Sequence, residues 1–386
     1  MPRPRHLPAI ARDTIGSAIQ PQPRGPALDF GPDDRSVHRT STLSPANRLM
    51  KRVLITGTAG FIGYHLAELL LAKGYAVHGY DGMTDYYDVA LKHRRHQQLL
   101  QKPDFAATEA MLEDFESLEK VVSDFRPEVI VHLAAQAGVR YSLEKPRTYI
   151  ESNVTGTFNV LELARAMPVE HLLMASTSSV YGANTEMPFD EKEKADTQLS
   201  IYAATKKATE SMAHSYAHLF GTPITMFRFF TVYGTWGRPD LALFKFVDAI
   251  LDDRPIDVYN HGDMERDFTY VADLVRAIEL LIGVPPRLPG ERGELQPNDS
   301  ISPVAPFRIV NIGNSEPVRL LDFIGIIEEK LGKKAQRNYL PMQPGDVRAT
   351  WANADLLRDL TGYQPHTDIR EGVAAFVDWF RDYYRK

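Results

Sequence analysis

A doubly wound α/β fold around a parallel sheet is predicted by three features of this sequence. From Arg52 onward, short apolar runs alternate with amphipathic stretches of helical period. The apolar runs are continuous rather than alternating, as in strands covered on both faces. A glycine-spaced turn, Gly57-x-x-Gly60-x-x-Gly63, stands between the first strand and the first helix.

The elements follow in order. RVLITG is the first strand, and GFIGYHLAELLLAKG is a helix stopped at Gly74. Strand YAVHGYD comes next, then a helix near Leu112–Phe125. Strand EVIVHLAA precedes a helix across Tyr149–Met167. Strand EHLLMAS runs into a hydroxyl-rich loop, then helix IYAATKKATESMAHSYAHLF, stopped by Gly221, and strand PITMFRFF. After about Thr235 the order is less regular. Helix LALFKFVDAILDD, strand IDVYN and helix VADLVRAIELLIG lead to a polar, proline-rich loop over residues 284–306. Strand RIVNIG and helices near Arg319–Leu331 and Asp368–Tyr384 complete the chain.

The expected organisation is a Rossmann-type dinucleotide-binding domain over residues 50–235, with segments near 256–284 and 307–315 returning to it. Residues 236–386 form mainly a smaller C-terminal α/β substrate domain. Residues 1–49 are rich in Pro, Arg and Ser without an apolar period, and are expected to be a disordered extension. Met50-Lys51 stands directly before the first strand, so a start at Met50 is the favoured reading of that extension.

Composition narrows the function. The net charge of −6 implies no broad basic field, so nucleic acid is not an expected partner. The chain has no cysteine, which removes disulfides, cysteine-zinc sites and thiol catalysis and fits a reducing, cytoplasmic setting. No metal site is expected. No apolar run approaches the roughly 18 residues needed to span a bilayer, so no membrane association is expected.

The glycine turn carries the first piece of chemistry. Gly57, Gly60, Phe61, Ile62 and Gly63 open a helix, where free N–H groups and the dipole favour a pyrophosphate. Asp81 ends the next strand. Its carboxylate suits the adenosine ribose hydroxyls and repels a 2′-phosphate, so NAD is the expected cofactor rather than NADP.

Tyr202 and Lys206 stand four apart on a predicted helix and share a face. A Tyr phenol near its free pKa of about 10 is a poor base at neutral pH, and a neighbouring ammonium favours phenolate. Tyr141 and Lys145 repeat the spacing, but Pro146 argues against a continuous helix through them. The preceding loop, Ser176-Thr177-Ser178-Ser179-Val180-Tyr181-Gly182, places Thr177 where it can donate to a reacting oxygen beside Tyr202.

With TGTAGFIG, HLAAQAG, STSSVYG, YAATK and RDFTYVADL in this order, nearly all of residues 50–386 resembles an extended short-chain dehydrogenase of the nucleotide-sugar epimerase/dehydratase family. The resemblance implies a catalytic trio of Thr177, Tyr202 and Lys206. It implies cofactor contacts from Asn153 and from the strand end at Ala134 and Ala135, and UDP contacts from Arg266 and Asp346. It also implies a homodimer joined by helices such as Tyr149–Met167 and Ile201–Phe220. The sequence departs from the family at Ala110-Met111-Leu112-Glu113-Asp114, where the family commonly carries an Asp near the adenine.

The resemblance also narrows the reaction. The family's 4,6-dehydratases carry an Asp-Glu pair where this chain has Ser178 and Ser179, and its UDP-glucuronate decarboxylases carry Glu at the latter position. With neither carboxylate present, return of the hydride remains, which is epimerisation at carbon 4. The segment from Arg228 through Asp240 is similar to UDP-glucuronate 4-epimerases, and the galactose epimerases usually have Asn where Thr231 stands. Ser178, Ser179 and Thr231 suit a sugar carboxylate, with Arg238 as a charge partner. Two alternatives stay open: a UDP-glucose/UDP-galactose 4-epimerase, and a dinucleotide-binding sensor without turnover.

Overall fold

The computed structural model describes residues 50–386 except 292, 294 and 296. The expectation of a disordered extension over residues 1–49 lies outside these. Strand β1 (Arg52–Thr56), helix α1 (Phe61–Ala72) and strand β2 (Ala76–Asp81) stand where the apolar pattern puts them. Helix α2 (Val89–Leu100) and strand β3 (Phe105–Glu109) follow, and the hydrophobic pattern does not announce either. The reason lies in their side chains. Helix α2 buries Lys92, Arg95 and His96 beside two leucines, so it has no clean apolar stripe. Strand β3 is FAATE at a sheet edge.

Helix α3 (Phe115–Phe125) and strand β4 (Val129–His132) come next. Two single turns, α4 (Tyr141–Glu144) and α5 (Pro146–Tyr149), lead through a π-helical stretch at Ile150–Thr155 into α6 (Gly156–Ala166). Strand β5 (His171–Ala175), helix α7 (Ile201–Phe220) and strand β6 (Ile224–Phe229) follow. The remainder is β7 (Thr231–Tyr233), α8 (Ala242–Leu251), β8 (Ile256–Val258), β9 (Glu265–Tyr270), α9 (Val271–Ile282) and β10 (Phe307–Ile312). Then come β11 (Pro317–Arg319), α10 (Leu320–Leu331), β12 (Arg337–Tyr339), β13 (Ala349–Thr350), α11 (Asp355–Thr361) and α12 (Ile369–Tyr384).

The main sheet has seven parallel strands in the order β10-β6-β5-β4-β1-β2-β3. Connections leave β1 toward β2 and β3 on one side, while β4, β5 and β6 build outward on the other. The order therefore reverses between β1 and β4, and a crevice opens beyond their carboxyl ends. On one face of the sheet, Val53, Ile55 and Val131 pack with α1 and with Leu274, Ile278 and Leu281 of α9. On the other, Leu54, Ile130 and Leu172 meet residues of α3, α6 and α7. A separate cluster joins Phe244 of α8, Phe323 of α10 and Phe376 and Phe380 of α12. A second sheet centres on β9, which pairs with β7, β11 and β13.

Helix α7 is fixed to the sheet by a buried ion pair. Arg228 of β6 donates from Nε and Nη2 to the two carboxylate oxygens of Glu210 on α7, both at 2.9 Å. The side chains are 1% and 3% exposed. Ser176, just past β5, donates to the same carboxylate at 2.7 Å, and the Lys207 ammonium lies 3.2 Å from it. Burial alone would raise the Glu210 pKa, but Arg228, Lys207 and Ser176 together hold it below the usual carboxylate range. Arg228→Met strands that carboxylate without its main counter-charge. It is expected to cost about 3–5 kcal/mol in denaturant unfolding, and a loss below about 1 kcal/mol would show that the pair is dispensable.

Candidate active site

The N-terminus of α7 is set by Ser200, whose side chain accepts from the Ala203 N–H at 3.1 Å. Its C-terminus is set by Gly221 in the left-handed region at φ +72°. Tyr202 and Lys206 therefore stand one turn apart, on the first two turns of a well-bounded helix. Lys206 is 3% exposed, and burial pulls its pKa down to about 8 against the pull of Glu210. Burial pushes the Tyr202 phenol up, while the Thr177 hydroxyl hydrogen-bonded to it and the nearby Arg238 oppose that rise. Thr177 follows β5 and caps the short turn Ser178–Tyr181, accepting from the Ser179 N–H at 3.2 Å. The sheet and α7 thus bring Thr177, Tyr202 and Lys206 together. Tyr141 and Lys145 do not form such a face, because α4 ends at Glu144 and Lys145 breaks the helix.

The glycine turn forms a close cradle. Gly57 has φ +85°, and a Cβ there would meet the backbone of Ala134 at 2.9 Å. A Cβ on Gly63 would meet the Gly57 carbonyl at 2.1 Å. No side chain caps the start of α1, so its first amides are left to the cleft lined by Gly60, Phe61, Ile62 and Gly63. Asp81 accepts from the Ala59 N–H and the Met83 N–H, both at 2.9 Å. It thereby fixes the turn and keeps further acceptor capacity toward the cleft it lines. These features fit a dinucleotide diphosphate and its ribose. Ala134 and Ala135 line the same cleft.

Asn153 is placed at the strand end behind the cleft by its hydrogen bonds. It is fully buried, next to Ser152 of the cleft lining. Its amide accepts from the Gln136 N–H at 2.7 Å and donates to the Gln136 carbonyl and to Thr205, each at 3.0 Å. It ties the strand end after β4 to α7 from within the π-helical stretch. Met111, in the segment Ala110–Asp114, stands at the cleft wall, so that wall presents a thioether.

The other end of the cleft, about 910 Å³ in all, is lined by Ser178, Ser179, Thr231 and Arg238, and also by Arg266 and Asp346. Arg238 is not a solitary cation. Its Nε and Nη2 donate to Asp240 at 2.9 and 2.5 Å, and Tyr86 donates to Asp240 at 3.0 Å. Arg266 donates to the carbonyls of Glu265, Val347 and Arg348 at 2.7–3.0 Å, which fixes the loop carrying Asp346. Burial lowers its pKa, and Asp346 opposes that shift. Arg140 approaches Asp346 at 3.6 Å and stacks on Tyr259 at 4.6 Å. Tyr86, Asp240 and Arg140 are cleft residues that sequence reasoning missed as site residues. Their only signal is charge or a phenol inside loops, where no periodicity marks which way a side chain faces. Among the described residues, no cluster of three or more His, Asp or Glu could hold a metal ion.

Residues 53–291 match the NAD dependent epimerase/dehydratase family. A probable UDP-glucuronate 4-epimerase of Rhizobium meliloti (strain 1021) is 55% identical over 335 residues, covering 87% of this chain and 98% of that protein. Protein CapI of Staphylococcus aureus is 53% identical, covering 87% of this chain and 100% of its own. The crystal structure of UDP-glucuronic acid 4-epimerase from Bacillus cereus with UDP-glucuronic acid and NAD superposes with a TM-score of 0.76 at 31% identity. It covers 86% of this chain and 100% of that one.

With the nucleotide sugars of these relatives as test substrates, Tyr202→Phe is expected to lower turnover by about 10²–10⁴-fold while bound NAD is retained. Tyr141→Phe should cost far less. Equal losses from the two substitutions would contradict the pairing of Tyr202 with Lys206.

Proposed function

Because this chain belongs to the NAD dependent epimerase/dehydratase family, it takes NAD as its cofactor, and we propose that it interconverts UDP-glucuronate and UDP-galacturonate by epimerisation at carbon 4. The observation that carries the choice of reaction is the wall facing Tyr202. Ser178, Ser179 and Thr231 supply hydroxyls there beside Arg238, and neither of the two serine positions holds a carboxylate. The choice of substrate is further supported by the relatives, one a probable UDP-glucuronate 4-epimerase and one solved with UDP-glucuronic acid and NAD.

In this reading Tyr202, as phenolate, takes the proton from the carbon-4 hydroxyl. Lys206 supplies the adjacent positive charge, and Thr177 donates a hydrogen bond to the reacting oxygen. Bound NAD supplies a reversible hydride acceptor at carbon 4. Arg266 and Asp346 retain the UDP moiety while the keto-sugar turns to present its other face, and Tyr202 returns the proton. NAD is unchanged over a full cycle, so it is carried as a bound group.

The carboxylate on carbon 5 poses the chemical difficulty. Once carbon 4 is a ketone, the sugar is a β-keto acid. It loses carbon dioxide readily when the C–CO₂ bond stands perpendicular to the carbonyl plane, because the electrons then enter the π system. Hydroxyl donors at Ser178, Ser179 and Thr231 hold the carboxylate near that plane through charge-assisted hydrogen bonds. Arg238 contributes with restraint. Two of its five N–H groups are engaged by Asp240, so the pair presents the three that remain rather than a bare charge.

We further propose a homodimer, supported by large apolar side chains that α6, α7 and the π-helical stretch expose. These are Ile150, Phe158, Leu219 and Phe220. An apolar groove between Val154, Phe158, Met212 and Tyr216 suits the same helices of a second copy. Among the described residues, no helix is long and apolar enough to cross a membrane. With no cysteine in the chain, a reducing compartment such as the cytoplasm is the proposed setting.

Ser179→Ala and Thr231→Ala should raise the ratio of UDP-4-keto-pentose to UDP-galacturonate, read by NMR of the product mixture. UDP-glucose should be a poor substrate because it leaves those donors unmatched. An unchanged ratio would remove the carboxylate from this wall. Rapid turnover of UDP-glucose with none of UDP-glucuronate would overturn the substrate.

A further inference from the structure

The least expected charge in the fold is Arg95. It sits on α2, the helix that the hydrophobic pattern conceals, and it is fully buried. Among the described residues, no carboxylate is a hydrogen-bond partner of it. Nη1 donates to the carbonyl of Ala59 and to the hydroxyl of Tyr87, both at 2.9 Å. Nη2 donates to the carbonyl of Trp236 at 2.5 Å and reaches that of Gly237 at 3.5 Å. Nε has no partner. Burying a guanidinium on neutral acceptors alone is costly, so a side chain placed there is held for what it joins.

What it joins is specific. Ala59 lies inside the glycine turn, one residue before the helix N-terminus at Gly60. Trp236 and Gly237 directly precede Arg238 on the loop that faces the sugar end of the cleft. The planar fork of an arginine can hold two carbonyls from separate segments at fixed spacing, which a lysine ammonium cannot do in the same way. Trp236 adopts φ +57°, an uncommon conformation for a residue with a side chain, and its carbonyl is one of those held. A second tie runs in parallel. Tyr86, in the segment leading into α2, donates to Asp240, the partner of Arg238.

We infer that Arg95 is a positioning residue that locks the loop carrying Arg238 to the cofactor turn. The guanidinium of Arg238 then meets the sugar at a fixed distance from the nicotinamide end of the cleft. Arg95 touches neither ligand in this account, and it acts through Ala59 on one side and Trp236 on the other. The inference rests on the reading of Arg238 as a contact for the sugar carboxylate.

The test uses the NAD-loaded enzyme. Arg95→Lys keeps a cation and removes the fork. It should raise the KM for UDP-glucuronate about tenfold, since small misplacements of a positioning group cost that much or more. It should leave kcat within about threefold and inhibition by UDP alone unchanged. A purely structural role would weaken UDP and UDP-glucuronate alike. Equal weakening, or no change in KM, overturns the inference. Arg95→Met, which removes the fork and the charge, should lower the NAD that remains bound after purification, read by absorbance of cofactor released on denaturation. Full NAD retention by a folded Arg95→Met protein also overturns it, and if that variant does not fold, Arg95→Lys decides. If the wild-type enzyme does not act on UDP-glucuronate, the substrate reading has failed, and the link from Arg95 to the cofactor turn is judged on NAD retention alone.

Discussion

The buried contact between Glu210 and Arg228 is the constraint on which the site depends. It joins three elements that each carry part of the chemistry. Glu210 lies one turn beyond Lys206 on α7, Arg228 lies in β6, and Ser176 directly precedes Thr177. A carboxylate buried this deeply is tolerated only with its charges and lone pairs matched. Its matching therefore dictates how α7 sits on the sheet. Tyr202, Lys206 and Thr177 inherit their mutual positions from that fit, and Glu210 in turn moderates the effect of burial on Lys206. A site that must move a proton at one atom and a hydride at its neighbour needs this kind of rigid support.

The second determinant is topological. Reversal of the strand order between β1 and β4 brings the turn after β1 against the strand end after β4, close enough that Gly57 admits no side chain. Contacts from other elements then finish the walls. Asn153 ties the strand end to α7, Arg95 ties the turn to the loop at Trp236, and Arg266 orders the loop that carries Asp346. Each is a buried or half-buried polar group that spends most of its hydrogen bonds on backbone. The cleft keeps its shape through these ties as well as through the apolar core.

What the sequence reveals follows from which forces leave a local signature. Helix α7 is legible from end to end because Ser200 caps it, Gly221 stops it and its apolar period is sustained. The glycine turn is legible because steric exclusion at Gly57 and Gly63 forces the spacing itself. Helix α2 is hidden because its buried face includes Lys92, Arg95 and His96, whose partners lie in distant segments. The role of Asn153 is hidden for the same reason. Its partners, Gln136 and Thr205, lie in other segments. The Arg238–Asp240 pair is separated by one residue in a loop, where no periodicity predicts that the two side chains converge.

In the proposed reaction one hydride leaves carbon 4 of UDP-glucuronate and returns to the same carbon from the opposite side, with the carboxylate held throughout. UDP-glucuronate deuterated at carbon 4 tests it most directly, with the enzyme's own bound NAD and no added cofactor. The expected product is UDP-galacturonate that retains the deuterium at carbon 4 and shows no exchange of the carbon-5 hydrogen with solvent. Loss of the label to solvent, exchange at carbon 5, or a pentose as the main product would contradict it.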